Sequence, residues 1–315
     1  MLGSELDAAG VRDPQLRDAY RACRAINAQH GRTFFLATRM LAPDQRPAVH
    51  ALYGFARRAD DILDDFDPAL SAAERQEGLE RLGSQLFNRL VQDEEDGDDP
   101  VLRAVVHSAR VYGIGWDLFD EFLRSMQMDL TITDYPNRAA LERYMYGSAE
   151  VIGLQMLPVL GTVGAREEAE PFAAALGKAF QLTNFIRDVD EDLHRGRIYL
   201  PADELAAHGV DREVLTWCQR NHKTDPRVRS ALEEQLATTR KVYTVAHLGI
   251  PMLDARSRPC VAAALTLYSE ILDRVEQLDF AVFGQRATVG NRRRLQVAAT
   301  GLYDAWRSRV RTGRA

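Results

Sequence analysis

The sequence predicts an all-α fold, and three observations carry that expectation. Apolar residues recur at the spacing of one helix face through most of the chain. Sustained alternation of apolar and polar residues, the mark of a half-buried strand, is missing. Helix-opening signals stand ahead of the periodic segments.

Asp13-Pro14 opens a first helix reaching residue 29, and Ala42-Pro43-Asp44 opens a second that runs to Asp65. Proline suits a first helical position because its missing N–H would be unpaired there anyway. Ser71-Ala72-Ala73-Glu74 has the form of a capping box and starts a third helix, which runs into the charged loop at 93–100. Further helices are predicted over 100–112, 116–130, 138–160, 166–194, 226–247 and 257–279, with Asp225-Pro226 repeating the proline-first start. No repeat or low-complexity linker divides the 315 residues, so one domain over 1–315 is expected.

Composition narrows the function. Hydrophobic residues make up 46% of the chain, enough for a substantial core, and the net charge of −6 argues against a nucleic-acid partner. Cys23, Cys218 and Cys260 are scattered, with no Cys-x-x-Cys pair, so neither a disulfide framework nor a zinc site is expected and a reducing cytoplasm fits. Residues 1–7 carry acids where a signal peptide carries a basic region. Apolar runs stay well short of the roughly 18–20 residues a spanning helix requires.

Two acidic segments stand apart from ordinary amphipathic helix. In the first, Asp60 and Asp64 are four residues apart, so on a helix their carboxylates share one face, with Arg57 one turn earlier. In the second, Gln181, Asn184, Asp188 and Asp192 trace one helix stripe. Like charges at this spacing repel unless a cation lies between them. Oxygen ligands without thiolate favour magnesium, which completes its shell with water and substrate phosphate. The pattern therefore suits a diphosphate cradle, with arginines neutralising the remaining charge. Read singly, each Asp-x-x-x-Asp is ordinarily a solvated face. Both, however, interrupt apolar surroundings, Phe55, Ile62 and Leu63 in one and Phe180, Leu182, Phe185 and Ile186 in the other. A di-iron bundle would need two Glu-x-x-His motifs, and only Glu191-Asp192-Leu193-His194 matches.

At these residues the chain resembles the squalene/phytoene synthase family. Arg57-Arg58-Ala59-Asp60-Asp61-Ile62-Leu63-Asp64 is similar to that family's first aspartate-rich motif. The run from Gln181 through Asp188 and Asp192 to Arg197-Ile198-Tyr199-Leu200-Pro201 is similar to its second. His30-Gly31-Arg32-Thr33-Phe34-Phe35, Tyr144-Met145-Tyr146-Gly147-Ser148-Ala149 and Tyr268-Ser269-Glu270-Ile271-Leu272-Asp273 match further stretches. The resemblance covers about residues 20–290 and is closest to bacterial phytoene synthases of the actinobacterial kind.

It implies a single-domain isoprenoid (terpenoid) synthase fold, with helices around a central cavity and the two motifs across its mouth. The implied activity joins two geranylgeranyl diphosphates head to head, through a cyclopropyl diphosphate, to phytoene. Alternatives are a squalene or dehydrosqualene-type C30 synthase using farnesyl diphosphate, and a non-catalytic assembly factor of the same fold. Carried over by position, Asp60, Asp64, Asp188 and Asp192 hold magnesium, with manganese as a substitute. Arg32, Phe34, Arg57, Gln181, Asn184, Arg187, Arg197 and Arg286 bind substrate, Arg286 standing where many relatives carry a second arginine beside it and this chain has Gln285. Tyr53, Tyr144 and Tyr268 lie near the reacting centre, where π-faces attract a carbocation without trapping it. NADPH is not expected.

Residues 151–160 are expected to wall the prenyl tunnel, with Gly147, Ser148, Ala149 and Gly153 leaving room for a chain. Glu150 replaces a small residue of many relatives and is expected to point outward. From Arg286 to Ala315 eight arginines stand against the single acid Asp304. This basic tail, 291–315, is expected to be a solvated helix with a frayed end. Its charge also suits contact with anionic lipid, and Arg292 to Arg294 could close the diphosphate site.

Overall fold

The computed structural model describes residues 2–64, 71–94 and 97–312, except for the side chains of residues 2, 32, 33, 64 and 309–312. The side chains of Arg32, Asp64, Arg309 and Arg311, and residues Asp65 and Arg314, thus lie outside the described residues. The described residues form helices and no strand, joined by two isolated β-bridges, Asp134 with Ile198 and Thr162 with Leu253.

The first half comprises α1 (Leu2–Ala8), α2 (Pro14–His30), α3 (Arg32–Thr38), α4 (Arg46–Asp64), α5 (Ala72–Val91), α6 (Pro100–Tyr112) and α7 (Trp116–Met128). After α8 (Arg138–Met145), a π-helical turn (Tyr146–Glu150) leads into α9 (Val151–Leu160). There follow α10 (Arg166–Arg187), α11 (Val189–His194), α12 (Ala202–Ala207), α13 (Arg212–Asn221), α14 (Pro226–Leu248), α15 (Arg258–Gln277) and α16 (Asn291–Thr312).

The start signals act as the sequence predicts. The Asp13 carboxylate accepts from the Leu16 N–H, Asp99 from those of Val101 and Leu102, and Asp225 from that of Arg227. Each satisfies backbone donors that a first helical turn leaves unpaired. Ser71 and Glu74 close both halves of the capping box. The second helix differs in beginning at Arg46, because Gln45 turns inward instead. Its buried amide accepts from the Ala42 N–H and donates to Val159 O at 2.8 Å and to Ser257 Oγ at 2.9 Å. A side chain from the start of α4 thereby caps the carbonyls ending α9.

Two of the long predicted helices are interrupted. The span 138–160 is broken by the π-turn, a feature often found at functional sites. The span 166–194 breaks at Asp188, whose backbone leaves the helical region. The ladder bridges that break all the same: the Asp188 N–H reaches Asn184 O, and the Asp192 N–H reaches Asp188 O, each at 2.8 Å. The stripe predicted from the spacing survives. The helices α1, α3 and α12, of six or seven residues, are too short to show periodicity, and the sequence reading omits them along with α13.

Two buried apolar clusters organise the packing. One joins α2, α4, α6, α7 and α9; the other surrounds Tyr135, Phe185, Leu232 and Leu272. Leu176 and Ile250 pack against both. Between them α10 lies against α9, α14 and α15. Its approach to the π-turn and α9 is close enough to require glycine. A Cβ on Gly153 would sit 2.2 Å from Ala173 O, and one on Gly177 2.2 Å from Ala149 O.

The last helix corrects the expectation of a solvated tail. Val297, Gly301 and Ala305 are buried, and a Cβ on Gly301 would meet Met40 Sδ at 2.6 Å. Arg293 pairs with Glu270 and Ser308 donates to Ala255 O, so α16 runs antiparallel along α15. This stripe of small residues is an inner face, hidden in the sequence among arginines.

Candidate active site

An apolar cavity of about 470 Å³ lies among α3, α9, α10, α15 and α16. Along α10 its wall is Ala169, Phe172, Ala173, Leu176, Gly177 and Phe180, a span of roughly 16 Å at 1.5 Å per residue. Ile152, Gly153, Met156, Leu157 and Leu160 supply the α9 side, as expected for the run 151–160. Gly147, Ser148 and Ala149 are absent from the lining among the described residues. Gly147 instead lets the π-turn meet α7, since a Cβ there would sit 2.1 Å from Glu121 O. The lining turns polar at Thr38, Tyr268, Asn291 and Arg294. A shallower depression of about 550 Å³, bordered by Arg229, Glu233, Arg240 and Glu276, involves neither acidic segment.

Two helices lead from this cavity to the acidic motifs by the same device. On α4, Val49 lines the cavity, and Tyr53, Arg57 and Asp60 follow at intervals of four, four and three. On α10, Ala173, Leu176, Gly177 and Phe180 line it, and Asn184 and then Asp188 continue the row. That inner row of α10 is the part of the site the sequence reading missed. Its signal is present: an apolar and small-residue stripe in phase with Asn184.

Tyr268 on α15 joins the two helices. Its ring stacks on Phe180 with centroids 4.1 Å apart. It is close enough to Tyr53 and to Arg187 to bear on the ionisation of both. Tyr53 in turn stacks on Phe34, a cavity residue, at 5.5 Å. Around the upper cavity the aromatic rings thus form two stacked pairs, Phe34 with Tyr53 and Phe180 with Tyr268.

Tyr144 lies outside the cavity lining among the described residues. It is fully buried in a cluster with Tyr135, Phe185 and Tyr199, and its hydroxyl donates to Asp129 at 2.8 Å. Burial, reinforced by the Asp129 carboxylate, holds its pKa well above the ordinary value. Tyr199 also donates to Asp129, and the Arg197 guanidinium donates to Asp129 O at 2.8 Å. Asp129, which the sequence reading does not single out, therefore orders Tyr144, Tyr199 and Arg197 together.

At the second motif Asp188 is held by Arg187 and by Arg286, the latter at 2.9 Å from a separate segment. The same segment is fastened beside it, as the Gly284 N–H donates to Asp190 at 2.9 Å. Asp192 is pushed up to about 7, first by burial and then by Asp188. Gln181 and Asn184 are adjacent at 3.5 Å, and Asn184 Oδ1 is buried with no hydrogen-bond partner. At the first motif Arg57 pairs with Asp61, its Nε buried and unpartnered. Glu150 does not point freely outward: it is half-buried and lies 3.8 Å from Lys178, which opposes the rise in pKa that burial causes.

The family model for squalene/phytoene synthase matches residues 27–293. A phytoene synthase from Arthrospira platensis is 35% identical over 291 residues, covering 89% of this chain and 91% of the relative. A chloroplastic phytoene synthase from Daucus carota is 33% identical over 297 residues, covering 93% of this chain and 72% of the relative. Among solved structures, a dehydrosqualene synthase in complex with ligand aligns with a TM-score of 0.80 at 26% identity, over 91% of this chain and 96% of that one. A squalene synthase from Alicyclobacillus acidocaldarius shares the fold, with a TM-score of 0.76 at 21% identity over 87% and 98% of the two chains. The chain therefore belongs to the squalene/phytoene synthase family and is a prenyltransferase of the isoprenoid synthase fold.

Proposed function

We propose that this enzyme joins two geranylgeranyl diphosphates head to head, with magnesium, to give phytoene. The observation that carries the reading is the pair of in-phase helix faces, apolar along the cavity and acidic beyond it, bridged by Tyr268. The phytoene synthase names of the relatives support the C20 substrate and a place in carotenoid synthesis.

The donor set fits magnesium. Asp60, Asp188, Asp192 and the unpartnered Asn184 Oδ1 offer hard oxygens only, and the Asp64 side chain lies outside the described residues. Among the described residues no three acids, histidines or cysteines gather into a group that could hold a metal ion, so the proposed ion would take further ligands from water and substrate phosphate. When bound, magnesium supplies positive charge that stabilises a departing diphosphate. Arg57, Arg187, Arg197 and Arg286 add fixed charge to the same end.

In the proposed reaction the carbon–oxygen bond of one substrate breaks and its electron pair leaves with the diphosphate. The allylic cation is attacked by the 2,3-double bond of the second substrate. Loss of a proton to the released diphosphate closes the cyclopropane. A second ionisation, rearrangement and proton loss give the hydrocarbon. Phe34, Tyr53, Phe180 and Tyr268 present π-faces to the cations, and the apolar wall keeps water out. NADPH has no part in this ending. The buried free cysteines support a reducing, cytoplasmic setting.

A second reading, C30 synthesis from farnesyl diphosphate, is favoured by the dehydrosqualene synthase alignment. One assay separates the two: purified protein with magnesium and either diphosphate, with and without NADPH, followed by mass spectrometry of the extract. Phytoene from the C20 substrate without NADPH supports the proposal. A C30 hydrocarbon from the C15 substrate alone replaces it with the second reading.

A further inference from the structure

Of the four arginines assigned to the diphosphate end, Arg197 is held unlike the others. Arg57 pairs with Asp61, Arg187 with Asp188, and Arg286 with Asp188 and Glu191. Each of these guanidinium groups has part of its charge answered by a carboxylate of the protein. Among the described residues no carboxylate pairs with Arg197 in this way. Its Nη2 donates to the Asp129 carbonyl oxygen at 2.8 Å, and the Tyr199 hydroxyl lies close enough to favour its charged form.

The backbone sets Arg197 beside the second motif. Gly196, with a φ of +77°, turns the chain back at the end of α11. The Arg197 N–H then donates to Asp192 O, and the Ile198 N–H to Thr133 O, each at 2.8 Å. Residues 197 and 198 are thereby fastened to Asp192 on one side and to the loop after α7 on the other. Asp129 opens that loop. It stands just past the end of α7, where a helix leaves carbonyl oxygens without intrahelical partners and presents the negative end of its dipole. Its carboxylate accepts from the Tyr199 hydroxyl at 3.0 Å and from the Tyr144 hydroxyl at 2.8 Å. Asp129 therefore acts on Arg197 directly, through its carbonyl, and indirectly, through Tyr199.

We propose that Asp129 is a positioning residue, which fixes Arg197 so that its charge meets the diphosphate of a bound substrate at the Asp192 end. The proposal rests on the reading of the two acidic motifs as a diphosphate cradle. A guanidinium already in an ion pair shares its charge between that partner and the ligand. One held by a carbonyl and a hydroxyl brings more of its charge to the ligand, and it is in place before the ligand arrives. The two tyrosine hydroxyls occupy the Asp129 carboxylate meanwhile, each donating to a different oxygen.

The test is calorimetric titration of the full chain with inorganic diphosphate in the presence of magnesium. Arg197→Gln should weaken binding by about ten- to a hundredfold, the loss of a charge-assisted contact. Asp129→Asn keeps the main-chain carbonyl but no longer offers both tyrosines a carboxylate oxygen. It should weaken binding by about three- to tenfold. In the Arg197→Gln background the same substitution should have no further effect, because Asp129 acts through Arg197. A merely structural loss would instead carry into both backgrounds alike. Should Asp129→Asn fail to fold, Tyr199→Phe takes its place in the same cycle with the same expectation. Native-like binding by the Asp129 variant, or equal weakening in both backgrounds, overturns the proposal. So does a native chain that does not bind diphosphate with magnesium. Inorganic diphosphate carries no prenyl chain, so failure of the condensation reading would show separately, as absence of hydrocarbon in the product assay.

Discussion

The two acidic helix ends share a sequence pattern and differ in electrostatic state. At the end of α4, Arg57 answers Asp61 within one turn of the same helix, and both are partly exposed. At the α10–α11 junction, Asp188 is mostly buried between a neighbour in sequence, Arg187, and Arg286 from nearly a hundred residues away. Asp192, one turn on, is buried enough to hold a proton to about pH 7. An aspartate at one helix end, Asp61, is thus loosely held on a half-open surface, whereas at the other end Asp188 is tightly compensated and Asp192 is raised toward neutrality. The surroundings decide which, because burial penalises the carboxylate and a guanidinium restores it.

The largest expected effect tests what the two ends share. Asp60→Ala and Asp188→Ala should each lower turnover by at least about a hundredfold at saturating magnesium. Their stabilities should then diverge. Asp60→Ala should melt nearly as the native chain does, whereas Asp188→Ala strands the buried Arg187 and should cost about 1–3 kcal/mol. Equal melting of the two would erase the contrast.

The next effect separates two tyrosines. Tyr144→Phe leaves the Asp129 carboxylate short of a buried donor and should cost about 1–3 kcal/mol in denaturant unfolding. Tyr268→Phe keeps the ring stacked on Phe180, so both stability and turnover should change little. A loss of turnover in Tyr268→Phe as complete as in the aspartate variants would make its hydroxyl a proton carrier.

A smaller effect should appear against pH in the cation-free protein. Asp192 has its pKa raised to about 7 from an ordinary 3.8. Its contribution to stability is therefore full below about pH 3.8 and lost as pH rises through 7. Asp192→Asn should match the native melting temperature at acid pH and exceed it at pH 8. The reverse order at pH 8 would mean that the carboxylate is ionised and well paired there. Smallest, Arg286→Gln should raise KM for the prenyl diphosphate several-fold with little effect on melting, because Arg286 is more than half exposed and Arg187 remains on Asp188.

Much of this molecule was determined by local sequence. Proline-first starts with aspartate caps and the Ser71–Glu74 box act within one turn, so they operate wherever the chain goes. Helical spacing likewise puts Tyr53, Arg57 and Asp60 in one row and Asn184 and Asp188 in another, and motif order was enough for the family. Tertiary structure decided the rest, because burial and charge pairing depend on residues distant in sequence. It set the Tyr144 hydroxyl on Asp129, outside the cavity lining, and it spent Gly147 on contact with α7. It broke the helix at Asp188 while keeping the hydrogen bonds that hold the stripe in phase. It also turned a basic tail into a cavity wall, since Gly301 has meaning only where Met40 presses against it.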